Sequence, residues 1–480
     1  MEHSQTLPLI ITILPFLTII AIYFFSNTKH KNLPPGSFGF PVVGESISLV
    51  RAYKQDKANE WMKHRIEKYG SIFKTSILGS KVVVLTGQAG SRFVFHGGDN
   101  GLSCQQPATV VKILGENSVF GLSGGRHKVV RGAIVGFFRP ENIQKFVGQM
   151  DSLVQEQLHN ELEGKESIQI VELMKKIAFK VAWGIFFGLT ERNEKDNKML
   201  EDFTTAVKGS FAVPVNFPGT TFHKAMKARA RLRERLSELI RIKKGETELK
   251  SHDNFLMRLV NLRDENGEML EEEVMIDVFF SMVAASHDST AVLMTHFIRH
   301  LCRDNEVYNK VLEEQEEVEK IKGESEDGRV SWKEIQMMKY TWRVARELMR
   351  ITPPILANFR QTTRDINLDG FDIPKGWQML LVPAGTHMNE KIFEDPNKFD
   401  PSRFENSKQS YPPYTYVAFG AGPRICPGAE FARIESMLVI HHLVTKYEWK
   451  EIVANEPITY NPMPYPAMGL PVRFNLKNKH

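Results

Sequence analysis

Between residues 419 and 428 the chain reads FGAGPRICPG. Three glycines and two prolines in this stretch exclude both helix and ladder strand. A stiff loop is expected, with a backbone that can approach a flat ligand closely, and a helix-like run begins at Ala429. The loop holds Cys426, one of 3 cysteines in 480 residues. An isolated buried cysteine ordinarily acts as a small hydrophobe. Here Arg424 sets a cation near the thiol, and a helix N-terminus lies just beyond it. Both favour thiolate over the free-cysteine pKa of about 8.5. A nucleophile would need a base, and no histidine lies in the loop. Zinc would need several ligands, and no Cys or His partner stands at metal spacing. The pairs His296/His300 and His441/His442 read as core or surface histidines. Haem iron needs only one axial thiolate.

The other end of the chain constrains where the protein sits. Residues 7–25 carry no charge, Glu2 precedes them, and Lys29 and Lys31 come after. A membrane-crossing helix needs roughly 20 such residues, and the charge bias puts the rest of the chain on the cytosolic side. A cleaved signal peptide would want a basic start and a small-residue cleavage site, and neither is present. The expected division is an N-terminal membrane anchor over 1–28, a basic and proline-rich hinge over 29–45, and one catalytic body over 46–480. Sparse, odd-numbered cysteines and the lack of any Asn-x-Ser/Thr sequon agree with a body in a reducing compartment. A net charge of +5 is too mild to argue for a nucleic-acid partner.

Along the body, SIFKTSIL and SKVVVLTG predict a β-hairpin turning at Gly79-Ser80. Helical periodicity dominates afterwards, over 141–162, 171–189, 223–241, 271–301, 332–351 and 429–446. Short β-like pieces, NFRQTT, INLDGFDIP and WQMLLVPA, come between the last two. The fold class expected is mainly α with small sheets. The basic run KAMKARARLRERL reads as a solvated helix face.

The spacing Phe419-x-x-Gly422-x-Arg424-x-Cys426-x-Gly428 resembles the haem-binding signature of the cytochrome P450 superfamily. Two further motifs stand upstream in the same order, and the resemblance covers essentially the whole chain. Glu347 and Arg350 resemble the family's buried Glu-x-x-Arg pair, with Arg403 of PSRF as third member. VAASHDSTAV resembles the element of the long helix over the haem. It brings Ala285, Ser286, His287, Asp288, Ser289 and Thr290 into register, with Ser286 where Gly is usual and Ser289 where Thr is usual. The resemblance implies that Asp288, Ser289 and Thr290 serve proton delivery in a wet helix distortion. It also implies Cys426 as metal ligand and Arg131, Arg360 and Arg424 as partners of the haem propionates, with His127 four residues ahead of Arg131.

The resemblance further implies a cytochrome P450 fold in which haem b, iron protoporphyrin IX, lies between a long central helix and the Cys loop. The expected reaction inserts one oxygen atom from O2 into a C–H bond. No Gly-rich nucleotide fingerprint is present, so the expected electron donor is an NADPH-cytochrome P450 reductase on the same endoplasmic reticulum membrane. Arg126 and Lys128 are candidate docking cations. Segments such as LPPGSFGFPVVGES, FKTSILG, GENSV and VNFPGTTFHKAMKARARL are similar to the plant microsomal branch that oxidises cyclic terpenoids. A pentacyclic triterpenoid of the oleanane or ursane type is expected, with a taxane-like diterpenoid or a steroid as alternative. GENSVFGLSGG, 279–285, 355–358 and NPMPYPAMGLP are the expected pocket segments. A reductase-independent isomerase or dehydratase and an inert haem carrier are the readings from other classes. The retained Asp288 and Ser289 speak against the former. Only the two serine departures speak for the latter.

Overall fold

The computed structural model describes residues 32–477 except 41–42, 78, 97–99, 189–193, 246–253, 323–327, 406–410 and 461–462. The segment 7–25 and the first part of the hinge thus lie outside the described residues. Among those described, no helix is long and apolar enough to cross a membrane. The hinge beyond that first part is tied to the body. The Pro35 carbonyl accepts from the Lys74 amide at 2.7 Å, and the Pro34 carbonyl accepts from Lys74 Nζ at 2.6 Å.

The helices that build the interior are α1 (Ala108–Leu114), α2 (Gly124–Phe137), α3 (Val147–Leu162), α4 (Ile170–Phe187), α5 (Glu194–Gly209), α6 (Thr221–Gly245), α7 (Glu272–Leu301), α8 (Asn305–Lys322), α9 (Lys339–Ile351), α10 (Pro383–His387) and α11 (Ala429–Lys446). Helix α7 runs for 30 residues without Gly or Pro. Glu272 and Glu273 stand in its first turn and Arg299 and His300 in its last, which suits the helix dipole. Its surface is buried nearly all round, as expected of a core helix. Along its middle, 284–286 and 289 break the burial. Helix α4 packs along it through Phe187 and Phe279, whose ring centroids are 3.8 Å apart. Phe186 joins Phe138, at the end of α2, to Phe431 of α11.

The expected hairpin is present as β1 (Ile72–Ile77) and β2 (Ser80–Leu85). With β3 (Leu102–Ser103), β4 (Asn358–Thr362) and β5 (Gln378–Leu381) it forms one sheet in the order β1-β2-β5-β4-β3. The remaining sheets have two or three short strands. The chain is therefore mainly helical with small sheets, as expected. Periodicity predicts a single helix over 332–351. The structure breaks it at Met338, whose ψ of 55° is not helical. The cause is remote in sequence. The Glu314 carboxylate of α8 accepts the amides of Tyr340 and Thr341 at 2.6 and 2.9 Å and so caps a new helix there. The run 141–162 is likewise divided, with α3 starting at Val147.

Buried polar groups tie the helices together. His442 Nε2 of α11 lies 2.5 Å from Asp151 of α3, and His441 Nδ1 lies 2.9 Å from Gln315 of α8. His296 of α7 donates from Nε2 to the Pro464 carbonyl at 2.7 Å. Burial pushes its pKa from 6.5 down to about 4. Burial pushes His387 of α10 down to about 3. Both imidazoles are neutral in the folded protein at neutral pH, while an unfolded chain protonates them below 6.5. The folded state then refuses a proton that the unfolded state accepts. Stability is fully present above pH 6.5 and falls as the pH drops toward the folded values, by about 1.4 kcal/mol per pH unit for each imidazole. Denaturant unfolding at pH 7 and pH 5 checks this; equal midpoints would contradict it.

Candidate active site

The loop ahead of α11 is fixed from both ends. The amides of Gly420, Ile425 and Cys426 donate to the carbonyls of Val417, Gly422 and Phe419 at 2.9, 3.0 and 2.8 Å. Gly422 has φ +63°, and a Cβ there would lie 1.9 Å from the Phe95 carbonyl oxygen. No other residue lets the loop close against that backbone.

The loop hangs from a buried brace. Glu347 and Arg350 of α9 are both fully buried, and they pair through Nε to Oε2 at 2.7 Å and Nη2 to Oε1 at 2.8 Å. Arg403 donates to the same carboxylate at 3.3 Å, as does the Asp400 amide at 2.9 Å. Arg350 also donates to the carbonyls of His387 and Pro396 at 3.0 and 2.7 Å. His387 returns Nδ1–H to the Arg350 carbonyl and accepts the Val417 amide on Nε2 at 3.0 Å. Since Nε2 accepts there, the ring proton sits on Nδ1. The brace thus runs from Glu347 through Arg350 and His387 to the residue that opens the Cys loop. Sequence reasoning finds its two charged partners and misses His387, which carries no local signal.

The Cys426 thiol differs from expectation. It is exposed, yet it is crowded by protein, so its open side faces a cleft instead of bulk water. Burial raises its pKa, and this outweighs a backbone hydrogen bond from Gly428 and the charge of Arg131, both of which lower it. The cation acting on the thiol is therefore Arg131, not its neighbour Arg424. The loop by itself does not stabilise a thiolate. A cation bound at sulfur would, because a metal deprotonates its thiol ligand outright.

Arg131 Nη2 donates to the Ile425 carbonyl at 2.6 Å, and Arg424 Nη2 to the Leu122 carbonyl at 3.4 Å. Arg360 of β4 donates to the carbonyl of its own neighbour Phe359. Burial, then the charge of Arg424, lowers the pKa of Arg131. Burial also lowers Arg360, where a nearby Cys104 opposes and Arg424 adds to the shift. His127 is held down to about 4 by burial, Arg424 and Arg131, and among the described residues its Nε2 has no hydrogen-bond partner. Three guanidiniums thus gather around one place, and among the described residues none has a carboxylate partner. Such a cluster calls for an anion.

Across the cleft, Ala285 is exposed and Ala284, Ser286 and Ser289 are half-buried. Ser289 Oγ donates to the Ala285 carbonyl at 2.6 Å and Ser286 Oγ to the Val283 carbonyl at 3.1 Å. Helix α7 passes through this stretch unbroken, so the expected distortion is absent. Both serine hydroxyls bond back to their own helix, with a full residue where a glycine would loosen the turn. Asp288 does not face the open stretch. It is buried, 3.0 Å from Lys175 Nζ of α4, with the Tyr465 hydroxyl donating to it at 3.1 Å; His287 Nδ1 lies 3.6 Å away, too far for a hydrogen bond. Burial opposes its charge, but His287 and Lys175 outweigh burial and hold the carboxyl well below the usual range. Thr290 is buried and lies about 100° further round the helix than Ser289. Of the three expected proton-delivery residues, only Ser289 reaches the open face. Lys175 and Tyr465 have no signal of their own in the sequence.

A family model described as Cytochrome P450 matches residues 34–474. The chain belongs to the cytochrome P450 family. It is 36% identical over 461 residues to the taxane 13-alpha-hydroxylase of Taxus cuspidata, covering 94% of each chain. It is 35% identical to the beta-amyrin 6-beta-monooxygenase of Solanum lycopersicum, covering 97% of this chain and 98% of that one. The beta-amyrin 28-monooxygenase of Medicago truncatula is 33% identical, with 98% and 99% covered. Among solved structures, the retinoic acid-bound cyanobacterial CYP120A1 superposes with a TM-score of 0.82 at 27% identity, covering 93% of this chain and all of that one.

A P450 is a haem monooxygenase, and the residues present fit its cofactor. The crowded thiol wants a metal cation, the cationic cluster wants carboxylates, and the glycine-bearing loop lies beside both. Replacing Glu347 by Ala strands Arg350 in the interior at a cost of about 3–5 kcal/mol. The expected outcome is a protein that retains little haem, checked by the haem-to-protein ratio of the purified variant. A wild-type ratio would contradict the brace.

Proposed function

We propose that this P450 inserts one oxygen atom from O2 into a C–H bond of a pentacyclic triterpenoid of the oleanane or ursane type. The observation that carries this reading is near end-to-end similarity to two beta-amyrin monooxygenases, at 35% and 33% identity. The apolar surroundings support it. The loop 115–121 packs Val119 and Phe120 on the main core, with the Val119 amide bonded to Ser281 of α7, and Phe279, Phe280 and Val283 line a hollow with Trp183. Such walls suit a large hydrocarbon skeleton. A taxane-type diterpenoid is the second reading, favoured by similar identity to taxane hydroxylases.

In this reading Cys426 would hold the haem iron through its sulfur, and Arg131, Arg360 and Arg424 would hold the propionates. Haem would supply the iron at which O2 is activated. Ser289 presents a hydroxyl to that space and holds the last proton-bearing group. Asp288, ionised beside Lys175, has no proton to give there; to pass one on it would first leave Lys175 and Tyr465 and take a proton up from solvent. Thr290 acts from behind, by packing. Electrons come from an NADPH-cytochrome P450 reductase. Lys128 is exposed and available to dock it, whereas Arg126 lies 3.8 Å from Glu271. The uncharged segment 7–25 anchors the chain in the endoplasmic reticulum membrane as a single pass, with the body in the cytosol. Exposed Phe211, Val213, Val215 and Phe217, between α5 and α6, offer a second apolar contact with that surface.

Expression in microsomes with the reductase, fed with beta-amyrin or taxadiene, tests this. An NADPH-dependent product one oxygen atom heavier is expected from beta-amyrin. A product from taxadiene alone would move the assignment to the second reading. No product from either would overturn the terpenoid assignment.

A further inference from the structure

Asp277 stands two turns before the open stretch of α7 and belongs to neither the Cys loop nor the proton route. It is 3% exposed, and two pieces of chain converge on it. Arg229 of α6 donates to its Oδ1 at 2.5 Å. The amide and side chain of Asn117 donate to its Oδ2 at 3.1 and 3.3 Å. Arg229 also donates from Nε to the Ile113 carbonyl at the end of α1, at 2.9 Å, and lies over the Phe280 ring. One turn further along α7, Ser281 Oγ accepts the Val119 amide at 3.2 Å. Gly115 has φ +97°, and a Cβ there would sit 2.0 Å from the Asp277 carboxylate. The chain after α1 is thus shaped to bring its amides onto this one acid.

The arrangement is poor as a stabiliser. Burying both charges costs solvation, and among the described residues Arg229 Nη1 finds no acceptor. Apolar side chains would hold α6 on α7 at least as well. What they could not supply is an acceptor that fixes the loop 115–121 in one position. Residues 277, 281, 285 and 289 stand at four-residue steps along one side of α7. The loop is therefore fastened to the ridge that opens, further along, over the cleft.

We propose that Asp277, with Arg229, is a clasp that holds the loop 115–121 shut over the substrate space, and that its release is the step by which a bulky ligand enters and leaves. Both are positioning residues. The inference rests on the monooxygenase reading for what the loop covers, but not on the terpenoid class.

Two variants of the holoenzyme test it. Asp277→Ala removes the acceptor. The double variant Asp277→Leu with Arg229→Met removes the acceptor and keeps α6 docked by apolar contact, and so serves should the single variant fold poorly. Hydrogen exchange is measured at the amides of Asn117 and Val119. Escape of a bulky azole, clotrimazole, is monitored by its haem absorption shift. We expect exchange at Asn117 to rise by about tenfold or more, the effect of losing a hydrogen bond to a charged group, with faster azole escape and unchanged protection over 291–301. Unchanged exchange at Asn117, unchanged azole escape, or an equal rise over 291–301 would each overturn the clasp. An azole that gives no absorption shift in the wild type would instead indict the haem reading, while the exchange result would still stand.

Discussion

The pair between Glu347 and Arg350 is the joint from which the site hangs. It is sealed from water, and each member has further partners that use up its bonding capacity. A buried pair of this kind contributes little net stability compared with apolar packing. Its value is directional. The Arg350 guanidinium holds the His387 backbone, the Arg350 carbonyl fixes the ring tautomer, and the ring then fixes the amide that opens the Cys loop. The thiol is thus placed by a chain of hydrogen bonds that begins on a different helix.

Charge explains the rest of the cleft. Burial, and then the charge of Arg424, depress both Arg131 and Arg360, and a guanidinium cluster with no carboxylate among the described residues is a standing cost to the fold. The same cost becomes binding energy once an anion arrives. The thiol is raised by burial and waits for a cation in the same way. A neutral ligand would satisfy neither group. A ligand with a metal at its centre and two carboxylates at its edge satisfies both.

Much of this is legible in the sequence because it is local. The Gly and Pro spacing around Cys426 encodes the loop, and the helical periodicity after it encodes α11 to the residue. Glu347 and Arg350 stand one turn apart on one helix. The parts that are not legible depend on distant chain. The break at Met338 is made by Glu314, and the tautomer of His387 by Arg350. Motif register alone points Asp288 toward the haem with Ser289. Its direction in the fold is set by Lys175 and Tyr465, which approach from α4 and from the chain beyond α11. Adjacency in sequence makes Arg424 the cation beside the thiol, yet Arg131, nearly three hundred residues away, acts there. The substrate leaves no local pattern at all, since apolar walls suit many skeletons.

Sulfur bound to iron is the bond on which every role assigned to the cleft depends, and one spectrum addresses it. The carbon monoxide difference spectrum of the reduced protein should show the strongly red-shifted band that a cysteinate ligand produces, and Cys426→Ser should abolish it together with oxygenation. A Cys426→Ser protein that kept the red-shifted band and went on oxygenating would contradict that assignment.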